Sequence, residues 1–101
     1  MGRVTKKQLE AVIEGINELT GSPLTYATVL KGGKRVMNIG HFYLDQAYGG
    51  YQCLRITNEG GGVEEISYGH VPARELMVYL RAFKKALHMV SAKNNYKKVQ
   101  I

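Results

Sequence analysis

The sequence predicts an α+β fold in which a four-stranded antiparallel sheet is flanked by an N-terminal and a C-terminal helix. Three observations predict it. Apolar residues recur at helical spacing near each end, shorter runs between them are rich in β-branched and aromatic residues, and glycine pairs or proline separate the runs. The element order is therefore α-β-β-β-β-α. Because each helix has one apolar face to bury, we expect both helices on one face of the sheet.

The first helix is expected from Lys6 to about Thr20. Thr5 and Gln8 form a capping box, in which each side chain accepts a hydrogen bond from the backbone N–H of the other. Gly21 can take the left-handed conformation that ends a helix. The apolar positions between these signals recur at helical spacing: Leu9, Val12, Ile13, Ile16 and Leu19.

Four strands are expected in the middle of the chain, over residues 24–30, 35–44, 51–57 and 63–68. Gly32-Gly33 suits a tight hairpin between the first two, because primed turns need positive φ at both central residues. Residues 45–50 are expected to end the second strand and to connect it to the third. The sheet face turned away from the helices would be open, and tyrosines fall in or beside the strands: Tyr26, Tyr43, Tyr48, Tyr51 and Tyr68.

A second helix is expected to begin at Pro72, which fits a first helical turn because its missing N–H is not needed there. It should run to about Ser91. We expect residues 1–91 to form one domain and residues 92–101 to be a basic, flexible tail. The apolar positions of this helix are Leu76, Tyr79, Leu80, Phe83, Leu87 and Val90.

The net charge of +6 is carried entirely by the C-terminal part of the chain. Seven basic and seven acidic residues precede Arg74, whereas seven basic residues and Glu75 alone follow from there. Such asymmetry indicates an anionic partner such as phosphate, nucleic acid or an acidic protein, or else a solvated face that keeps the protein soluble. The candidate basic partner surface consists of Arg74, Arg81, Lys84, Lys85, Lys97 and Lys98.

Composition indicates a globular cytoplasmic protein. No apolar run approaches the roughly 18–20 residues of a membrane-spanning helix, and the first seven residues lack the apolar stretch of a signal peptide. The single cysteine, Cys53, allows no internal disulfide framework and suits a reducing compartment.

The ionisable residues show no recognised catalytic spacing. Cys53 lies in the middle of a strand, where a buried, inert thiol is the usual outcome; a nucleophile would need His41 beside it across strands. A metal site from Glu59, Glu64 and Glu65 is disfavoured because adjacent strand residues point to opposite faces. We expect no catalytic activity, no cofactor and no metal.

A candidate ligand site combines the glycines with the tyrosines. Successive backbone N–H groups in mixed conformations bind anions, and glycine adopts these conformations freely. Tyrosine rings can stack on a base and arginine can pair with phosphate, although a simple hairpin turn and ordinary β-propensity explain the same residues. The predicted ligand-binding residues are Tyr48, Gly49, Gly50, Tyr51, Arg55, Asn58, Glu59, Gly60, Gly61, Gly62 and His41.

Residues 38–63, NIGHFYLDQAYGGYQCLRITNEGGGV, resemble a group of small phage- and prophage-encoded proteins that share N-x-G-x-[YF]-x-L-x-x-AYGGY followed by R-x-x-NEGGGV. The resemblance extends to TKKQLEAVIEGINELTGSPL and to RELMVYLRAF. It implies no particular activity. Small phage proteins without catalytic motifs often disable host defences, and by analogy we expect an anti-defence protein in the host cytoplasm.

Three functions remain open at this point. The first is capture of a nucleotide-type immune signal, possibly a cyclic oligonucleotide, in a pocket completed by a second copy of the chain. The second is inhibition of a host defence nuclease or complex by direct protein–protein contact through the basic helix. The third is binding of double-stranded nucleic acid, because the element order loosely resembles a double-stranded-RNA-binding domain.

Overall fold

The computed structural model describes residues 3–67 and 69–100, with the backbone alone for residues 91–100. Its elements are α1 (Lys6–Thr20), β1 (Ala27–Val29), β2 (Arg35–Met37), β3 (Phe42–Ala47), β4 (Gly50–Ile56), β5 (Val63–Glu65) and α2 (Ala73–Gln100). β1 pairs with β2, and β3, β4 and β5 form a second antiparallel sheet in that order. The α+β class is confirmed, but the prediction of a single four-stranded sheet is wrong.

The predicted strand 35–44 is interrupted between β2 and β3, which divides the strands into two sheets. The side chain of Asn38 accepts a hydrogen bond from the Thr28 hydroxyl at 2.8 Å and donates to the Thr25 carbonyl at 2.9 Å. Gly40 follows with a φ of 95°, which other residues rarely adopt. These residues redirect the chain, so the segment before Gly40 pairs with β1 and the segment after it pairs with β4.

The break predicted at residues 45–50 is present but is shorter than predicted. β3 continues to Ala47, which pairs with Gly50, so Tyr48 and Gly49 alone form the turn. Their φ angles are 53° and 74°. Positive φ at both central residues is what a two-residue type I′ hairpin requires.

α1 has the predicted bounds and the predicted caps. The N–H of Thr5 donates to the Gln8 side chain at 2.9 Å, and the N–H of Gln8 donates to the Thr5 hydroxyl at 3.2 Å. Gly21 ends the helix with a φ of 71°. Each signal lies at the helix end that it caps, which is why the sequence alone is sufficient to place this helix.

Two boundaries near the C-terminus differ from the prediction. α2 continues to Gln100 instead of ending near Ser91. The apolar positions at helical spacing end near Val90, but residues 73–100 contain neither glycine nor proline to break the helix. The last strand is shorter than predicted and ends at Glu65; Tyr68 lies outside the described residues.

The core lies between the two helices and one face of the β3–β4 pair. Asn17 is buried and fixes α1 on the first residue of β3, since its side chain donates to the Phe42 carbonyl at 2.9 Å and accepts from the Phe42 N–H at 2.8 Å. Both helices contribute to one buried cluster with residues from this sheet face: Leu9, Ile13, Ile16, Phe42, Cys53, Leu76, Met77 and Leu80.

The opposite face of the sheet is partly covered, contrary to the expectation of an open face. The ring of Tyr26, next to β1, packs edge-on against the ring of Tyr43 with centroids 4.9 Å apart. Burial, with smaller effects of Tyr26 and Asp45, raises the pKa of Tyr43 to about 12. The two-stranded sheet therefore lies beside this face and packs a tyrosine against it.

Candidate functional site

The predicted ligand pocket is not assembled as one site. Its aromatic turn, Tyr48–Tyr51, lies at the start of β4, whereas the glycine loop, residues 57–62, follows the end of β4. β4 has seven residues, which places its two ends about 20 Å apart. A single small ligand cannot contact both groups in this arrangement.

The two tyrosines of the turn face different surroundings. The side chain of Tyr48 is 95% exposed at the tip of the hairpin, with its ring centroid 5.5 Å from that of His70. His70 in turn lies against Asp45, with Nε2 and Oδ2 2.7 Å apart. Tyr51 instead packs against the buried core. The rings of Tyr48 and Tyr51 therefore cannot stack on the same base.

Gly50 is needed for backbone packing. A Cβ at this position would lie 3.0 Å from His70 C and from the N and O atoms of Val71. The backbones of Tyr51 and Val71 exchange two hydrogen bonds, of 2.8 and 3.0 Å. Glycine here allows the segment that precedes α2 to lie directly on β4.

The amides of the glycine loop already have acceptors inside the loop. The Asn58 Oδ1 accepts from the N–H groups of Gly60 at 3.0 Å and Gly62 at 2.9 Å. The Asn58 carbonyl accepts from the Gly61 N–H at 3.2 Å. A Cβ at Gly62 would lie 2.1 Å from Asn58 Nδ2. The three glycines thus form a turn around one side chain, and the N–H groups predicted to hold an anion are in use.

Glu59 and His41 also have structural contacts. The Glu59 carbonyl accepts from the Met37 N–H at 3.3 Å and ties the loop to β2. His41 is buried, and its Nδ1–H donates to the Pro23 carbonyl at 2.8 Å. Cys53 is fully buried on the other face of the sheet, and this burial raises the pKa of its thiol to about 12. A reactive cysteine–histidine pair is therefore not formed.

Arg55 lies near the loop end of β4 and lines a hollow of about 310 Å³. Its guanidinium carbon lies 5.7 Å from the centroid of the Phe42 ring. Its Nη1 is 3.7 Å from Oε1 of Glu64. The remaining lining residues, which sequence reasoning missed because they come from three other segments, are Thr20, Ser22, Ile66 and Phe83.

The basic residues of α2 divide into two groups. Arg74, Arg81 and Lys85 are exposed and lie on one side of the helix, since they are seven and four residues apart. We call them the basic row. The side chain of Lys84 instead lies against α1, where its Nζ is 2.7 Å from the position that a Cβ on Gly15 would take. Among the side chains that the structure describes, these four cations form no salt bridge; the side chains of Lys97 and Lys98 are outside that part.

A second, larger hollow of about 890 Å³ lies between residues 71–72 and the exposed side of α2. Its walls are mainly apolar. Tyr79 is one of its lining residues, and its hydroxyl donates to the Ile66 carbonyl. We call this hollow the α2 groove, and its lining consists of Ser67, Val71, Pro72, Arg74, Glu75, Leu76, Val78, Tyr79 and Ala82.

The groove continues into an exposed apolar row along α2. Val78, Ala82, Ala86 and Met89 are three or four residues apart and lie on one side of the helix. Val78 is 68% exposed and Met89 is 65% exposed. We call these four residues the apolar row. Their spacing is visible in the sequence, but the core-facing positions have the stronger apolar pattern. Tyr79 and Val90, which were predicted on the core-facing side, are exposed.

Among the described residues, no three His, Cys, Asp or Glu side chains are grouped so that they could hold a metal ion. Neither of the helices in that part of the chain is long and apolar enough to cross a membrane. No protein-family model, curated protein or solved structure matches this chain.

Proposed function

We propose that the protein is a non-enzymatic binding protein that docks on an acidic surface of a partner protein through α2. The observation that carries this proposal is the apolar row beside the basic row on the exposed side of one helix, continuous with the α2 groove. The helix packs its other side into the core through Leu76, Met77 and Leu80. The exposed apolar side chains lie outside this buried cluster.

Exposed apolar side chains in a continuous patch favour a protein interface. Single exposed apolar residues are ordinary, but contiguous patches rimmed by polar groups mark interaction sites. Val78 and Met89 each expose about two thirds of their surface, and burying such side chains releases about 25 cal/mol per Å² of apolar area. An amphipathic partner segment that covers the row gains this free energy.

The charge of the same side indicates the sign of the partner. Arg74, Arg81 and Lys85 lie beside the apolar row, and the chain from Arg74 onward contains one acidic residue. Complementary charge at the rim of an interface raises the association rate and excludes like-charged partners. A second copy of this chain would bring two basic rows together, so an acidic heterologous partner fits better than a homo-oligomer.

The same geometry ranks the other two functions lower. A nucleic-acid backbone offers phosphates but little apolar surface to cover Val78 and Met89. The composite nucleotide pocket lacks its main donors, since the loop amides donate to Asn58. The resemblance to phage-encoded proteins makes a host defence nuclease or complex the partner class that we propose.

A photo-crosslinking experiment tests this function. Benzoylphenylalanine replaces Ala82 in the α2 groove or, as the matched control, Lys31 in the exposed turn between β1 and β2. In bacterial cells we expect a crosslinked protein of defined mass from position 82 and none from position 31. The combined Arg81→Glu and Lys85→Glu changes should abolish the crosslink.

Binding of the identified partner is then measured with purified components. Val78→Asp should weaken it at least about tenfold, the loss typical of a central interface residue. Equal crosslinking from both positions, or a partner whose affinity ignores Val78→Asp and the charge reversals, would refute the proposal. Crosslinks to duplex nucleic acid would favour the third function instead.

A further inference from the structure

We infer that the hollow beside Arg55 is a binding site for a small phosphate-bearing molecule of mononucleotide size. It is independent of the α2 surface, because none of its lining residues belongs to the α2 groove, the apolar row or the basic row. Of the residues predicted to bind a nucleotide, only Arg55 lines this hollow, and the other lining residues were not predicted.

The guanidinium of Arg55 lines the hollow, its side chain is 41% exposed, and its donors are free. In the part of the chain that the structure describes, it donates no hydrogen bond to a protein acceptor, although arginine has five N–H donors. The one carboxylate nearby, Glu64, is 3.7 Å from Nη1, whereas charge-assisted bonds are about 2.7–2.9 Å. The Phe42 ring beneath the guanidinium, 5.7 Å from its carbon, favours this position. A solvent-accessible guanidinium with free donors suits a phosphate.

The hydroxyl group of Ser22 lies near the guanidinium, and both residues line the hollow. Arg55 Nη2 and Ser22 Oγ each lie 3.8 Å from where a Cβ on Gly40 would be. Ser22 Oγ is 2.7 Å from Thr20 Oγ1, and Thr20 donates to the Ile16 carbonyl. The Ser22 O–H therefore points to Thr20 and needs only a rotation to donate to an anion.

The C-terminus of α1 adjoins the hollow, and its partial negative charge would oppose an anion. This effect is reduced because the last carbonyls already accept hydrogen bonds. The Asn17 carbonyl accepts from the Ser22 N–H at 2.9 Å, and the Glu18 carbonyl accepts from the Gly21 N–H at 3.3 Å. The donors that remain to face a ligand are the Arg55 guanidinium and the Ser22 hydroxyl, whereas the Glu64 carboxylate, which also lines the hollow, opposes an anion.

The size and walls of the hollow define the ligand class. A volume of about 310 Å³ is at the lower end of the roughly 300–1,000 Å³ of small-molecule sites. It fits a mononucleotide and is too small for a cyclic oligonucleotide. Ile66 and Phe83 are half-buried and supply an apolar wall for a planar group. The ligand thus combines one phosphate with one ring system.

Glu64 competes with the ligand for Arg55. Its side chain is 57% exposed, so it can turn into solvent when an anion enters. Removing the charge of Glu64 should therefore tighten the binding of an anion. If binding instead required the Arg55–Glu64 ion pair to hold Arg55, the same change would weaken it. We expect Glu64→Gln to tighten binding by up to about fivefold, the value of an exposed ion pair.

Titration of the full chain with AMP, followed by ¹H–¹⁵N NMR, tests the inference; adenosine and inorganic phosphate are the comparison probes. We expect saturable shifts around Ser22, Gly40 and Arg55 with AMP, and weaker binding of adenosine and of phosphate. Arg55→Met should weaken AMP binding at least about tenfold. The matched control is Arg35→Met, which removes a guanidinium 5.9 Å from the Tyr26 ring but outside the hollow and should change affinity less than about twofold.

Three results would overturn the inference. They are the absence of shifts with 10 mM AMP, equal affinities for AMP and adenosine, and AMP shifts that survive in Arg55→Met. If Arg55→Met does not fold, Arg55→Lys serves instead; it keeps the charge but loses the fork of donors and should still weaken AMP binding. Because none of the residues that line the hollow belongs to the α2 groove, the apolar row or the basic row, failure here leaves the crosslinking result at position 82 unaffected.

Discussion

The two ends of β4 each carry a glycine-rich segment, and the two segments use glycine for different physical reasons. At the start of the strand, Gly50 lets another stretch of backbone approach, with three backbone atoms 3.0 Å from its Cβ position. After the end of the strand, Gly60 and Gly62 donate to the side chain of Asn58. Gly50, at the start of the strand, is packed against other backbone. The loop after the strand is exposed, and its amides donate to an acceptor within the loop.

This difference shows that glycine content does not identify a binding loop. Both segments suggested backbone donors for a ligand, because both offer freedom of φ and little steric bulk. In the structure that freedom serves strand packing at one end and a compact turn at the other. The candidate hydrogen-bond donor for an anion is the side chain of Arg55, between the two segments, and glycine content does not reveal it.

The largest effect that we expect concerns Cys53, which lies in β4 between the two turns. Its thiol has an ordinary pKa of 9.0, and burial raises the pKa to about 12 in the folded protein. The stability that the protonated thiol contributes is therefore complete below about pH 9 and is lost as the pH rises toward 12. At pH 8, iodoacetamide should modify Cys53 at least about 1,000-fold more slowly than in denaturant.

Mass spectrometry measures this modification, and stability measured between pH 8 and 11 should fall as the pH rises. Modification of the native protein at a rate near that of the denatured chain would contradict the burial of β4. The same assay then reports how far each substitution below opens the strand.

Gly50→Ala should lower the free energy of unfolding by about 1–3 kcal/mol, because the added methyl group forces the backbone of residues 70–71 away. Gly49→Ala is the matched control, since its Cβ would meet nothing within 4 Å and only its positive φ is unfavourable, at about 1 kcal/mol. Urea unfolding of both variants measures the difference. Equal losses would mean that the contact on Gly50 is loose.

Asn58→Ala should lower the free energy of unfolding by about 1 kcal/mol, because the amides of Gly60 and Gly62 lose their acceptor but can bond to water instead. Hydrogen exchange at these two amides should become faster. Asn58→Asp retains the acceptor and should protect them. Unchanged exchange in Asn58→Ala would show that the side chain does not organise the loop.

The smallest effect should be a gain. Tyr48 has a φ of 53°, a conformation that asparagine tolerates better, and Asn-Gly is the preferred pair for this turn. Tyr48→Asn should therefore raise the free energy of unfolding by about 0.5 kcal/mol, as measured by urea unfolding. A loss of stability would mean that the contact between the Tyr48 and His70 rings outweighs the strain.

Much of the fold could be predicted because its signals are local. The bounds of α1 follow from Thr5, Gln8 and Gly21, which all lie within or beside the helix that they cap. β4 follows from its apolar and β-branched run and was predicted to within one residue at each end. The site was less predictable, because Arg55 meets Ser22 and Phe83 from distant segments.

The amino-acid sequence by itself determined the α+β class, the first helix with its caps, β4 and the basic charge of the C-terminal helix, since each depends on neighbouring residues. Only the tertiary structure decided that the strands form two sheets, that β4 separates the aromatic turn from the glycine loop, and that Asn58 occupies the loop amides. Strand pairing and burial join residues far apart in the chain, such as Asn17 with Phe42 and Asp45 with His70. Such contacts stabilise the protein only after the chain between the two residues has closed into a loop, which costs entropy.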